Sequence, residues 1–312
     1  MKYLRNTCTD PYWNMAHDEF LLDGLEETVF CLWQNAPAVI VGLNQNPYAE
    51  VNAPYLEMNG IALARRVTGG GAVYHDLGNL NYSIAGPIRE LENLYGLMAD
   101  TLVRLGVPAV RSGRNDILVE GRKCSGYAKR LSRQRMMIHG TLMWDVDLEA
   151  LTASLAVPGS KLAAAGVASV HSRVCNLKDY LPQYKDITEF REALQQLLAG
   201  EAPELVLTPE QLREIDREAD EKFRSWEWNW GRSPQASFQV SHKFPCGTVQ
   251  VSYTLRRGVF QTLSFGGDFL GGKPAEELAA SLLGQKPEAI LSSPVGDYFD
   301  QLSPEDLYHL LF

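Results

Sequence analysis

Residues 65–76, RRVTGGGAVYHD, place three consecutive glycines between two arginines and a His-Asp pair. Each glycine costs a helix about 1 kcal/mol relative to alanine, so no helix runs through them. The neighbouring stretches IALARRV, AVYHD and NLNYSIAG are rich in apolar, β-branched and aromatic residues. They read as three strands of a largely antiparallel sheet, with the glycines turning one strand into the next. Glycine also lets backbone N–H groups approach an anion closely. The run therefore reads as a tight turn or as a cradle for a phosphorylated ligand. It matches neither the strand-to-helix dinucleotide fingerprint nor the P-loop spacing, and by itself it does not choose.

Elsewhere the chain alternates helical and strand-like patterns. TDPYWNMAHDEFLLDG opens with Asp10 as a cap and Pro11 at the first helical position, and ends at Gly24. TVFCLWQ and AVIVGL read as a hairpin-like pair of strands, NAPYLEMNG and LENLYGLMADTLVRLGV as helices, and IHGTLMWDV as a core strand. Residues from about Leu148 to Ser225 are mostly helical in pattern. After Pro234 the strand-turn-strand TVQVSYTL-RRG-VFQTLSF begins, followed by the short helices PAEELAASLLG, KPEAILSS and SPEDLYHLLF. The expected fold is α+β: a large domain over 1–230, with a mostly antiparallel mixed sheet flanked by helices, and a small α+β domain over 235–312.

A net charge of −9 argues against nonspecific nucleic-acid binding. Yet Arg65–Arg66 and the stretch 111–135 concentrate Lys and Arg, with Asp116 and Glu120 the acidic residues of that stretch. Such a local zone suits a compact anionic ligand, or is a solvated face. No run of 18 apolar residues occurs, and polar residues interrupt the N-terminal stretch, so neither a membrane span nor a signal peptide is expected. Five scattered cysteines show no metal-site or redox-pair spacing. The expected place is the cytoplasm, with reduced thiols.

A second stretch, GRNDILVEGRKCSGYA (113–128), has Glu120-Gly121 as a two-residue turn. Pairing NDILV with RKCSG puts Leu118 opposite Lys123, Ile117 opposite Cys124 and Asp116 opposite Ser125. Lys123, Ser125 and Asp116 are then expected on one polar face, and Cys124 and Ile117 on a core face. A lysine beside a carboxylate is either a surface ion pair worth at most about 1 kcal/mol or part of an anion site with the glycine run. Asp76 and Asn79 are expected to hold the turn after His75 through side-chain hydrogen bonds to the backbone.

RRVTGGGAVYHDLGN, then NDILVEGRKCSGYA, then HGTLMWDVDLEAL resemble the lipoate-protein ligase A family, whose motif runs RRxxGGGxVxHDxGN, then ND, then a lysine before SGxA. The resemblance covers nearly the whole chain and continues through KLAAAGVASVHSRVCNL and WEWNWG. It implies an enzyme that activates lipoate with Mg2+-ATP to give lipoyl-AMP and pyrophosphate. The lipoyl group then passes to a lysine of an acceptor, either a lipoyl domain of a 2-oxoacid dehydrogenase or the glycine-cleavage carrier protein. It implies a monomer with a catalytic domain followed by a mobile accessory domain. Carried over by motif, Arg66, Gly70, Gly71, Ala72, Val73, Tyr74 and His75 contact ATP or the adenylate. Arg65, Thr68 and His139 line the lipoate side. Lys123 is the catalytic residue, reaching both lipoate and the α-phosphate, and Asp116 is a magnesium ligand or an orienter of Lys123. The loop AGVASVHSRVCNL covers the adenylate. The competing expectation is a lipoyl or octanoyl transferase that uses preformed lipoyl-AMP or a thioester on Cys175.

Overall fold

The computed structural model describes residues 1–92, 94, 96–113, 115–155 and 173–312, which divide into two compact units. The first holds residues 1–43, 60–152 and 173–225. Its strands are β1 (Lys2–Arg5), β2 (Val29–Trp33), β3 (Ala38–Val41), β4 (Ala62–Arg65), β5 (Val73–His75), β6 (Asn79–Pro87), β7 (Ala109–Ser112), β8 (Asp116–Val119), β9 (Arg122–Ser132), β10 (Arg135–Met143) and β11 (Glu204–Leu205). Eight of them form one mixed sheet in the order β11-β1-β2-β6-β10-β9-β8-β7. The β11–β1 and β1–β2 pairings are parallel and the rest antiparallel. A small sheet, β4-β3-β5, completes the set.

Alternation along the central strands separates two faces. Leu80, Tyr82 and Ile84 of β6, with Ile138 and Leu142 of β10, join Phe30, Leu32 and Phe190 in one hydrophobic cluster. Their neighbours Asn79, Asn81 and Ser83, and His139 beside them, are equally buried but polar. A buried polar face needs partners for every group, and this face carries the candidate site. It also carries the helix α1 (Pro11–Asp23), which forms as the sequence predicts: the Asp10 carboxylate accepts from the Tyr12 N–H, Pro11 starts the first turn, and Gly24 N–H closes on the Phe20 carbonyl.

Three expectations are corrected. TVFCLWQ and AVIVGL do not pair with each other: both edges of β2 are taken by β1 and β6, while β3 lies in the small sheet. The glycine run does not join neighbouring strands, because β3 lies between β4 and β5. The β8–β9 register is Leu118 opposite Lys123, as expected, but then Ile117 opposite Ser125 and Asp116 opposite Gly126. A β-bulge at this point absorbs one extra residue on β9. Ser125, 1% exposed, thereby leaves the polar face and sits opposite the buried Ile117 and Leu142. The turn itself is as expected, with Glu120 and Gly121 both at positive φ (51° and 78°).

The second unit holds residues 44–59, 153–155 and 226–312. Its sheet is β12 (Ala236–Phe244), β13 (Gly247–Arg256) and β14 (Val259–Gly267), all antiparallel. Arg257 and Gly258 make the expected turn with φ of 54° and 71°. The segment 44–59, far upstream in sequence, groups here because Tyr48 packs its ring against Trp230 at 4.6 Å and Phe312 at 5.1 Å. Asn46 Nδ2 adds a hydrogen bond to the Pro234 carbonyl. No helix among the described residues is long and apolar enough to cross a membrane.

Candidate active site

A cavity with about 670 Å³ of free space, mouth included, opens on the polar face of the large sheet. Gly70 to Val73 and His75 line it on one side, Lys123 and Gly126 on another, with Asn81 and His139 between. Its size suits a small molecule and its few polar groups converge from separate elements.

Arg66 shapes the glycine loop. Its Nε donates to Thr68 Oγ1 at 3.0 Å, Nη1 to the Ile40 carbonyl at 3.0 Å, and Nη2 to the carbonyls of Gly69 and Gly71, both at 2.8 Å. Tying these carbonyls to one guanidinium fixes the loop beside the cavity that Gly70 and Gly71 line. Gly70 sits at φ +101°, and a Cβ on Gly42 would overlap the Gly70 carbonyl. Burial pushes the Arg66 pKa down to about 10, which leaves it cationic at neutral pH.

On the opposite side, Lys123 Nζ lies 2.8 Å from Asp116 Oδ1, with the two side chains 38% and 37% exposed. A Cβ on Gly126 would stand 2.9 Å from both Cε and Nζ of Lys123. Absence of a side chain at Gly126 is what lets the ammonium fold over the sheet. Lys123 is held from behind as well: its N–H donates to the Arg173 carbonyl at 2.8 Å and its carbonyl accepts from Cys175 N–H at 3.0 Å.

Two buried relays set the wall between these sides. In the first, Trp33 Nε1 donates to Ser83 Oγ (2.9 Å), Ser83 donates to Asp18 Oδ1 (2.6 Å), and Asp18 Oδ2 accepts from His139 Nδ1 (2.7 Å). His139 Nε2 meets Thr68 Oγ1 at 2.7 Å, and Thr68 already accepts from Arg66. In the second, Asn6 Nδ2 donates to Asn14 Oδ1, Asn14 Nδ2 to Asn35 Oδ1, and Asn35 Nδ2 to His75 Nδ1, at 2.8, 2.8 and 3.1 Å. His75 Nε2 thus carries the proton. Burial, aided by the charge of Arg66, holds the His75 pKa down to about 3, so the ring is a neutral donor.

Of the residues expected at a site, Arg66, Gly70, Gly71, Ala72, Val73, His75, Lys123 and His139 line this cavity. Thr68 stands behind His139, and Asp116 reaches the cavity through Lys123. Tyr74 alternates to the buried side of β5. Arg65 is fully buried and donates to the carbonyls of Gly42 and Leu43. Asp76 holds the turn as expected, accepting from the Gly78 and Asp147 N–H groups, whereas the Asn79 side chain donates to the Asn81 side chain instead of the backbone. Most of the expected covering loop, residues 165–172, lies outside the described residues. Cys175 is 3% exposed, and burial raises its thiol pKa, the opposite of an activated nucleophile.

Sequence reasoning missed Asp18, Trp33, Asn35, Asn81 and Gly126. Asp18 left a signal: Met15, Asp18 and Leu22 recur at i, i+3 and i+7, so a carboxylate sits on a helix stripe that is otherwise buried and apolar. Among the described residues no group of three or more His, Cys, Asp or Glu is placed to hold a metal ion.

The chain is similar to known proteins along its length. The family described as lipoyl protein ligase A/B catalytic domain matches residues 10–199, and that described as bacterial lipoate protein ligase C-terminus matches 233–311. Lipoate-protein ligase 1 of Staphylococcus aureus is 35% identical over 100% of both chains. A structure of the bipartite lipoate protein ligase and its E2 lipoyl domain from Thermoplasma acidophilum aligns with a TM-score of 0.67 at 28% identity, over 74% of this chain and 96% of that one. A lipoate-protein ligase A bound with ATP aligns at 0.65 and 27%, over 74% and 98%. With a glycine loop and a lysine lining one cavity, a catalytic-domain match over residues 10–199 and full-length alignment with such an enzyme, this protein belongs to the lipoate-protein ligase family.

Proposed function

We propose that this chain joins lipoate to AMP and passes the lipoyl group to a lysine of an apo lipoyl domain. The observation that carries this is the placing of Lys123 Nζ, paired with Asp116, on the cavity wall that faces the Arg66-tied glycine loop. In the first half-reaction a carboxylate oxygen of lipoate attacks the α-phosphorus of ATP and pyrophosphate leaves. Lys123 offsets the charge that builds at phosphorus, while N–H groups of Gly70 to His75 and the His75 Nε2–H bind the nucleotide. In the second, the acceptor amine attacks the acyl carbon and AMP departs.

Magnesium enters as part of the nucleotide substrate, which fits the pairing of Asp116 with Lys123 and the lack, among the described residues, of a protein-built metal cage. Arg65, Thr68 and His139 support the lipoate side, Arg65 and Thr68 from behind. Residues 1–230 act as the catalytic domain and 235–312 as an accessory domain, in a cytoplasmic monomer. Acceptors are lipoyl domains of 2-oxoacid dehydrogenases and the glycine-cleavage carrier protein. The test is incubation with lipoate, Mg2+-ATP and an apo lipoyl domain, following pyrophosphate release and acceptor mass. Pyrophosphate that appears only with lipoate, with a lipoyl mass gain on the acceptor, is the expected result; acceptor modification from octanoyl carrier protein without ATP overturns it.

A further inference from the structure

Asn81 is 1% exposed, lines the cavity, and its Nδ2 has no hydrogen-bond partner. Its orientation is set, because Oδ1 accepts from Asn79 Nδ2 at 2.8 Å, which leaves the amino group as the end turned to the cavity. A buried amide donor left unpaired costs about 1–3 kcal/mol. Such a group persists where a ligand completes it.

Strand register says which part of the ligand. One row runs across five strands: Trp33 opposite Asn81, Asn81 opposite Thr141, Thr141 opposite Gly126, and Gly126 opposite Asp116. Neighbouring strands lie about 4.8 Å apart, so the Asn81 and Gly126 backbones stand about 10 Å apart. The Lys123 ammonium folds over Gly126. It therefore lies on the other side of Thr141 from the Asn81 amide, and all three residues line the cavity. On the far side of Asn81 stands the apolar Trp33, with Met15 and Ile40 also on the wall. A ligand with an apolar tail and an anionic head laid along this row brings its acyl carbon between Asn81 and Lys123.

We propose that Asn81 Nδ2–H binds the acyl oxygen of the substrate, the one that stays on the lipoyl group, while Lys123 serves the oxygen bound to phosphorus. This rests on the ligase reading above. During adenylation one carboxylate oxygen forms the P–O bond as pyrophosphate leaves, and the other becomes the carbonyl. During transfer, amine attack pushes the carbonyl electron pair onto that oxygen. The pair returns as the C–O bond to AMP breaks and the amine proton leaves to solvent. A fixed neutral donor at this oxygen stabilises it most when it is most negative. Asn81 is then a catalytic residue that needs no proton transfer of its own.

The test compares the enzyme with Asn81→Ala and with Asn81→Leu, which refills the volume without a donor. Each is measured for pyrophosphate release and for affinity toward the AMP ester of lipoyl alcohol, which has CH2 in place of the carbonyl. The expected result is a fall of about 10- to 100-fold in kcat/KM for lipoate, with KM for ATP and binding of the carbonyl-free ester unchanged within about twofold. Where the alanine variant does not fold, the leucine variant is read by the same criteria. An unchanged kcat/KM for lipoate, or weakening of the carbonyl-free ester by the same factor, overturns the proposal. A rise confined to the KM for ATP also overturns it, by assigning the amide to the nucleotide. If the unmodified enzyme itself releases no pyrophosphate with lipoate, the ligase reading fails and not this assignment alone.

Discussion

The two sides of the cavity are built on different principles. In the wall formed by α1, β6, β10 and the loop after β4, Asp18, Ser83, His139 and Thr68 are buried and bonded to one another. The β8–β9 hairpin opposite presents Lys123 and Asp116 as a half-exposed pair. Buried polar groups in a satisfied network hold position at the cost of leaving a partner stranded when one is removed. An exposed pair contributes at most about 1 kcal/mol to stability and is free to exchange its partner for a ligand. Damage to the wall should therefore register in stability, and damage to the hairpin in catalysis.

The sharpest separation is expected from Lys123→Ala. It should cut pyrophosphate release by about 10³-fold or more, as loss of a charge that serves the transition state does, with urea unfolding nearly unchanged. A matching loss of stability would erase the distinction. Asp18→Ala should do the reverse, lowering unfolding free energy by about 3 kcal/mol in urea titrations, because His139 Nδ1–H and the Ser83 hydroxyl lose a buried acceptor.

Acid should attack the buried side in the same way. His75 and His17 have pKa values held down to about 3 and 4, each by burial first. The unfolded chain takes up protons near pH 6.5 and the folded chain does not until those lower values are reached. Stability is thus complete above about pH 6.5 and falls as pH drops toward 4, by about 1.4 kcal/mol per unit for each histidine. Urea midpoints measured at half-unit intervals should show this slope, and His17→Leu should roughly halve it. Gly126→Ala should slow adenylation about tenfold by displacing the Lys123 ammonium while leaving the melting temperature within about 2 °C. Cys175→Ala should leave turnover within about twofold, since its thiol is buried and outside the cavity lining.

Much of this site is legible along the chain. The glycine run, Arg66, His75 and Lys123 sit in contiguous motifs, and their chemistry follows from residue type. The turn at Glu120-Gly121 and the start and stop of α1 were likewise readable, since caps and turns depend on a few adjacent residues. The pairing of β2 was not, because a buried strand recruits whichever edges the whole sheet offers. Nor was Asn81, whose asparagine in a strand-like run gives no sign of which face it occupies until register is known.

By itself, the sequence determined the residue kinds, the local turns and the family to which they belong, because those depend on neighbours in the chain. Only the tertiary structure decided which polar groups are satisfied and which are left for a ligand. Asp18 meets His139 across 121 residues and His139 meets Thr68 across 71, and a single extra residue in β9 exchanges Ser125 for Gly126 at the place where Lys123 must fold. Burial makes each of those contacts costly to lose, and burial is a property of the packed sheet rather than of any stretch of sequence.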